Sequence, residues 1–180
     1  ATGSGVETDF EVLLTDNLLF IANASYNKTE IEDPDLNDLA CGSVPQCTYL
    51  DPLIEAGGGP FGEDVVAING NPLPRAPELM YNLILQWNVP VGDGDFYVHT
   101  DWSYRDDSNL FLHRSVEFVA DERWLGGLRI GYRSENGMDV ALVGRNITDE
   151  ISVDGGINFN NLTIFINEPA FWGVEFRKDW

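Results

Sequence analysis

Seven stretches of about ten residues alternate apolar and polar side chains with a period of two, and nothing else in the chain constrains its fold as tightly. The last, AFWGVEFRKDW at Ala170 to Trp180, sets Trp172, Val174, Phe176, Lys178 and Trp180 against Gly173, Glu175, Arg177 and Asp179. Successive side chains of a strand point to opposite faces, so this segment carries one largely aromatic face and one charged face. Gly5 to Leu14 sets Val6, Thr8, Phe10, Val12 and Leu14 against Glu7, Asp9 and Glu11, and Leu18 to Asn27 continues with Leu18, Phe20, Ala22, Ala24 and Tyr26 on one side. The same alternation returns at Glu78 to Val89, Asp95 to Arg105, Trp124 to Arg133 and Met138 to Asn146. Alternation alone fits two structures: an amphipathic strand over a soluble core, or a strand with lipid on one side and a polar lumen on the other.

The connections between these strands decide between them. Thr15 to Asn17, Pro90 to Gly94 and Ser134 to Gly137 are tight turns rich in Asn, Asp and Gly, whereas residues 28–75, 106–122 and 147–169 are long. Short and long connections therefore alternate along the chain. A soluble meander has no reason to sort its loops by length, whereas a transmembrane barrel places short turns on the periplasmic side and long loops outside. Strands of about ten residues cross a bilayer when tilted. The expected fold is all-β: a transmembrane antiparallel β-barrel segment of about seven strands. Residues 28–75 lose the period and are rich in Asp, Glu, Gly and Pro, and their conformation stays open at this point. LFLHRSVEFVA, within 106–122, fits either a strand extension or a short helix; as an extra strand it would give an eight-stranded barrel and reverse the sidedness.

Composition narrows the function. The 180 residues need no more than one domain, 1–180, and carry a formal net charge of −20, with 30 Asp and Glu against 10 Lys and Arg. Phosphate backbones are bound by clustered Lys and Arg, so nucleic acid is not an expected partner. Hydrophobic residues at 43% are too many for a disordered acidic tail. No apolar run approaches the eighteen or so residues of a membrane helix, the longest candidate being Leu18 to Ala22. Ala1 opens the sequence with neither an initiating Met nor a basic segment, which reads as part of a longer product.

Few residues suggest chemistry. Cys41 and Cys47, in CGSVPQC, match neither a CxxC pair nor a zinc knuckle, and a local disulfide is the first reading, with free buried thiols the alternative. Such a disulfide stabilises by roughly 2 kcal/mol in the chain-entropy model and implies an oxidising compartment. Asp33, Asp35 and Asp38 lack the Gly and terminal Glu of an EF-hand loop and read as solvated acids. His99 and His113 have no Cys or His at metal-ligand spacing, so no metal or cofactor is assigned. No nucleophile arrangement points to an enzyme. Glu7, Asp9, Glu11, Asp101, Arg129, Arg133, Arg145, Glu175 and Arg177 fall on the polar faces and read as a charge-paired wall. Sequons at Asn23, Asn27, Asn146 and Asn161 support the alternative of a secreted soluble β-sandwich that binds carbohydrate. In that case Leu79, Tyr81, Leu83, Leu85 and Trp87 lie buried against a second sheet.

Several segments in order resemble one family. ATGSGVETDFEVLLTDNLLFIANASYNKTEI, PLPRAPELMYNLILQW, YRDDSN, GRNITDE at Gly144 to Glu150 and the aromatic C-terminus look like the C-terminal barrel region of TonB-dependent outer-membrane receptors. Asn146, Ile147, Thr148 and Asp149 are similar to the family's Asn-Leu-Thr-Asp signature, with Ile147 in place of Leu. The resemblance implies a larger, 22-stranded barrel in the outer membrane of a Gram-negative bacterium, plugged by an N-terminal domain and driven by TonB. It implies active transport of a scarce nutrient, with ferric siderophore, haem, cobalamin, glycan and peptide all open. The implied partners are outer-membrane lipid, the remaining strands and plug, TonB through a region ahead of Ala1, a small-molecule or glycan ligand, and the barrel assembly machinery. That machinery would recognise Trp172, Val174, Phe176 and Trp180. Lys178 departs from the usual aromatic pattern and is tolerable if it snorkels at an interface.

Overall fold

A computed structural model describes residues 1–41, 47–158 and 162–179. One antiparallel sheet of seven strands is its frame. The strands are β1 (Thr2–Thr15), β2 (Leu18–Glu30), β6 (Leu79–Val91), β7 (Gly94–Arg105), β10 (Arg123–Ser134), β11 (Met138–Arg145) and β14 (Phe171–Lys178), paired in that order, with β1 and β14 at the edges. Each of the seven alternating stretches is one of these strands. Several run beyond the stretch that alternates: β1 and β2 stay paired out to Thr2 opposite Glu30. The backbone ladder needs no apolar face once both sides of a strand are in water, so hydropathy understates its length. Positive backbone angles at Gly92 and Gly137 turn two of the hairpins.

The long connections are folded. Between β2 and β6, β3 (Asn37–Ala40), β4 (Leu53–Glu55) and β5 (Asp64–Ala67) form a small sheet in the order β3-β5-β4, so the stretch 28–75, whose conformation the sequence leaves open, is in part folded. The second connection contains a two-residue ladder of β8 (Ser108–Asn109) with β9 (Val119–Ala120), and the third a hairpin of β12 (Val153–Asn158) with β13 (Leu162–Ile166). LFLHRSVEF is neither a helix nor a strand of the large sheet; it bends, making one bridge from Ser115 to Tyr49, and the eight-stranded alternative falls with it.

The apolar core lies in these loops and not on the large sheet. Ile31, Ala40, Cys41, Val66 and Ile68 form one buried cluster, and Leu110, Phe118 and Ala120 a second, with Cys47 packed against both. On the large sheet only Tyr97 and Ala141 are buried hydrophobics. Among the described residues no second sheet covers its apolar face: Trp87, Leu142, Trp172, Val174 and Phe176 are all exposed, and Leu83 and Leu85 only half-buried. The sandwich alternative required that cover, so the finding counts against it.

Candidate functional site

The apolar face is a band with aromatic residues at both ends. At the loop end Tyr81 stacks on Tyr104 with ring centroids 4.8 Å apart, and Trp124 packs on Trp102 at 5.6 Å. At the turn end Trp87 meets Phe96 edge to face at 6.2 Å. Leu83, Leu85, Val98, Leu128, Ile130 and Leu142 lie between. The register explains how bulky rings fit. Gly126 sits opposite Trp102 and Gly144 opposite Trp172, and a Cβ on either glycine would come within 2.6 to 2.7 Å of the indole. Both glycines are seats for a ring laid across the neighbouring strand. Lys178 shares this face, yet its ammonium reaches back to the Asn136 carbonyl in the last tight turn, so its charge is satisfied away from the apolar side chains.

The opposite face is a polar wall. Near the turns Asp95, Arg133, Asp139 and Arg177 stand side by side on four adjacent strands, so charges alternate in sign across the sheet. Arg133 pairs with Asp139 at 3.3 Å, Tyr97 donates its hydroxyl to Asp139 at 2.6 Å, and Arg129 donates to Tyr97 at 3.2 Å while pairing with Glu175. Tyr97 lies flat over Gly131, where a Cβ would come within 2.5 Å of the ring. Asp9 accepts from Asn23, His99 lies 3.8 Å from Asp101, and Arg177 pairs with Asp179. Glu7, Glu11 and Arg145 make no ion pair among the described residues, so the wall is charge-paired only in its later strands. A shallow cavity of about 410 Å³ opens here over Gly127, between His99, Asp101, Arg129 and Arg145.

Above the sheet the three loops interlock into one roof. Asp51, its side chain fully buried, accepts from the Asn71 amide at 2.8 Å and from the Arg114 backbone and guanidinium at 2.7 and 2.8 Å. Glu117 accepts from the Thr48 amide and hydroxyl. His113, also buried, meets Asp38 at 2.7 Å. Burial pushes the Asp38 carboxyl up, but the hydrogen bond and charge of His113, helped by the Leu39 and His113 amides, outweigh it and hold the group below its ordinary 3.8. Asp38 is therefore not the solvated acid expected of it; it fastens the first loop to the second. Cys41 and Cys47 are joined in a disulfide beside His113. The pairs Asp51–Arg114, Thr48–Glu117 and Asp38–His113, which join the first loop to the second, lie 63 to 75 residues apart in sequence, and no local pattern announces them.

The Asn-Ile-Thr-Asp segment forms the corner at which β11 becomes the third loop. Asn146 and Asp149 adopt positive φ, 45° and 54°, a conformation asparagine and aspartate tolerate better than most residues. The Asn146 amide donates to the carbonyls of Glu150 and Glu168 at 2.9 Å each, tying the start of the loop to its end, and its oxygen accepts from the Glu150 amide. Asp149 accepts from the Ala170 amide, the Ile147 amide donates to Gly126, and the Thr148 hydroxyl to Trp124. Asn167, which sequence reading did not single out, doubles the clamp by donating to the same two carbonyls. Of the four aromatic and aliphatic residues at the C-terminus, Trp172, Val174 and Phe176 share the apolar face at the edge strand; Trp180 lies outside the described residues, as does the sequon Asn161.

No protein-family model matches the sequence, and no curated protein matches it. Solved structures do match in fold. The ferric yersiniabactin uptake receptor FyuA from Yersinia pestis aligns with a TM-score of 0.73 at 12% identity, over 99% of this chain and 23% of that one. BauA, the ferric preacinetobactin receptor from Acinetobacter baumannii, aligns with a TM-score of 0.51 at 13% identity, over 99% of this chain and 26% of that one. The chain thus spans about a quarter of the length of either receptor. Its open seven-stranded sheet, with tight turns at one end and folded loops at the other, is similar in fold to a segment of these two receptors.

Proposed function

We propose that residues 1–180 are the C-terminal part of the barrel of an outer-membrane receptor that takes up a scarce nutrient, with a ferric siderophore the leading class. The observation that carries this reading is the uncovered apolar face with its two aromatic belts, backed by a charge-paired polar wall. β6 has thirteen residues. At ~3.4 Å per residue and a tilt of about 40° such a strand rises ~34 Å, enough to cross a hydrocarbon core of about 30 Å. In this arrangement lipid meets Leu83 and Leu85, the polar wall faces a plug supplied by an earlier part of the polypeptide, and the roof stands outside the cell. Coupling to TonB would belong to that earlier part. The Cys41–Cys47 disulfide suits an oxidising exterior. Trp172, Val174 and Phe176, on an edge strand, would be read by the assembly machinery before the barrel closes.

The roof is built to present a fixed surface to a ligand. Its first two loops are held to each other by buried polar pairs, so a ligand docks without first ordering them. The functional partners named by the two structural relatives, ferric yersiniabactin and ferric preacinetobactin, indicate the kind of cargo to test first.

Topology is the experimental test. A short epitope tag placed between Gly57 and Gly58, both exposed in the first loop, is expected to bind antibody on intact cells. The same tag in the Ser134 to Gly137 turn is expected to bind only after the outer membrane is opened. Labelling of both tags on intact cells, or of neither until permeabilisation, would overturn the reading.

A further inference from the structure

We propose that Arg105 and Arg123 form an oxyanion-binding subsite at the base of the roof, which takes a phosphate or carboxylate group and which Asp154 occupies in its absence. Arg105 and Arg123 stand directly opposite each other at the loop ends of β7 and β10. Like charges in such a pair destabilise a sheet unless something is bound between them. Here the something is one carboxylate oxygen: Oδ1 of Asp154 pairs with Arg123 and lies 3.9 Å from Arg105. Arg123 also donates to the Ser152 hydroxyl at 3.3 Å, and Arg105 to the Val153 carbonyl at 3.2 Å.

A third arginine lies beside the next residue of β12, outside the pair. Arg75 holds a positive φ of 56°, and its guanidinium lies against Gly155, 3.4 Å from where a Cβ would stand. Among the described residues, two guanidiniums, those of Arg105 and Arg123, therefore share the one carboxylate of Asp154. The acids next in sequence do not neutralise them. Asp106 and Glu122 are both held by the Tyr104 hydroxyl, at 3.5 and 2.9 Å, and Tyr104 belongs to the apolar face. Among the described residues the buried Nε–H of Arg105 moreover has no acceptor.

The surroundings make this local excess of positive charge conspicuous. Residues 31–78 hold nine acids and one base, which is Arg75 itself. Arg105 and Arg123 are about four-fifths buried, with side-chain exposures of 22% and 21%, so charge is weakly screened there. Asp154 is more open, at 41%. A planar or tetrahedral oxyanion satisfies paired guanidiniums better than the single oxygen Asp154 offers, since arginine forks favour bidentate partners. An anionic group entering between the loops would displace Asp154 and reach the orphaned Nε–H as well. The side of the sheet is the polar one, so the group comes from a soluble ligand and not from a lipid headgroup.

Two substitutions with opposite expected effects test the proposal. The complete polypeptide that carries this chain is purified in detergent and titrated calorimetrically with inorganic phosphate. Asp154→Asn removes the competing carboxylate while keeping every arginine, and is expected to tighten phosphate binding about tenfold, the size of one charge-assisted contact. Arg123→Gln is expected to weaken it about tenfold on the same grounds. Arg105→Lys keeps the charge but loses the fork, and should also weaken binding if Arg123→Gln disturbs folding. Absence of phosphate binding in the parent protein and in Asp154→Asn would overturn the proposal. Weaker binding by Asp154→Asn would do the same, for it would mean that Asp154 holds the arginines in place and does not block them. The measurement needs no transport, so it stands or fails separately from the function proposed above.

Discussion

Replacing Leu83 by arginine is expected to destabilise the inserted protein by about 2–4 kcal/mol, the cost of a charge at the lipid-facing midplane of a barrel. Leu83 sits midway along β6, opposite Ala22 on one neighbour and Trp102 on the other, on the face that no second layer covers. The nearest belt residues on its own strand are Tyr81 and Trp87, two and four positions away, so an arginine there has water within reach only at the cost of distorting the strand or the bilayer. Asn82, one residue earlier, points to the polar wall, opposite Asn23 and Ser103. Asn82→Arg is accordingly expected to cost little. Urea titration of the complete protein folded into lipid vesicles reads both variants. Equal losses at the two positions would mean that the faces do not differ in their surroundings.

Removing the Asp51 carboxylate is expected to loosen the roof while leaving the sheet intact. Asp51→Ala strands three donors, from Asn71 and Arg114, and leaves a small void. Buried polar pairs broken from one side cost roughly 3–5 kcal/mol, reduced here to about 2–4 because the Arg114 side chain is 43% exposed and regains water. Amide exchange in residues 106–122 and in β3 to β5 should accelerate by the corresponding factor, about 30-fold or more. Exchange in β6, β7 and β10 should stay unchanged. If residues 106–122 were as protected as before, Asp51 would not be what joins the first loop to the second, and a preformed docking surface would lose its main support.

The large sheet was legible because one physical demand repeats along it: every second side chain faces the same surroundings, over lengths sufficient to show the period. Glu78 to Val89 needed nothing beyond that. The loops were illegible for the converse reason. β8 and β9 have two residues each, too few for any period, and their partners are chosen by contacts such as His113 with Asp38 that span distant sequence. The Asn146 corner falls between these cases. Its sequence drew notice through resemblance alone, whereas its work, closing the stem of the third loop, follows from positive backbone angles and two carbonyls that only the folded chain brings together. Faces were assigned correctly from alternation, but which charges pair was not: Arg129 skips the residue level with it and reaches Glu175 diagonally, past Tyr97.

The central claim is that the two faces of one sheet meet lipid and a polar interior. Single cysteines bearing a fluorophore, placed in turn along residues 81 to 89 of β6 in the complete protein with Cys41 and Cys47 left paired, measure this directly in vesicles of brominated lipid. Quenching is expected to be strong at 81, 83, 85, 87 and 89 and weak at 82, 84, 86 and 88, a period of two over the whole strand. Uniform quenching, or strong quenching at the even positions, would contradict the account.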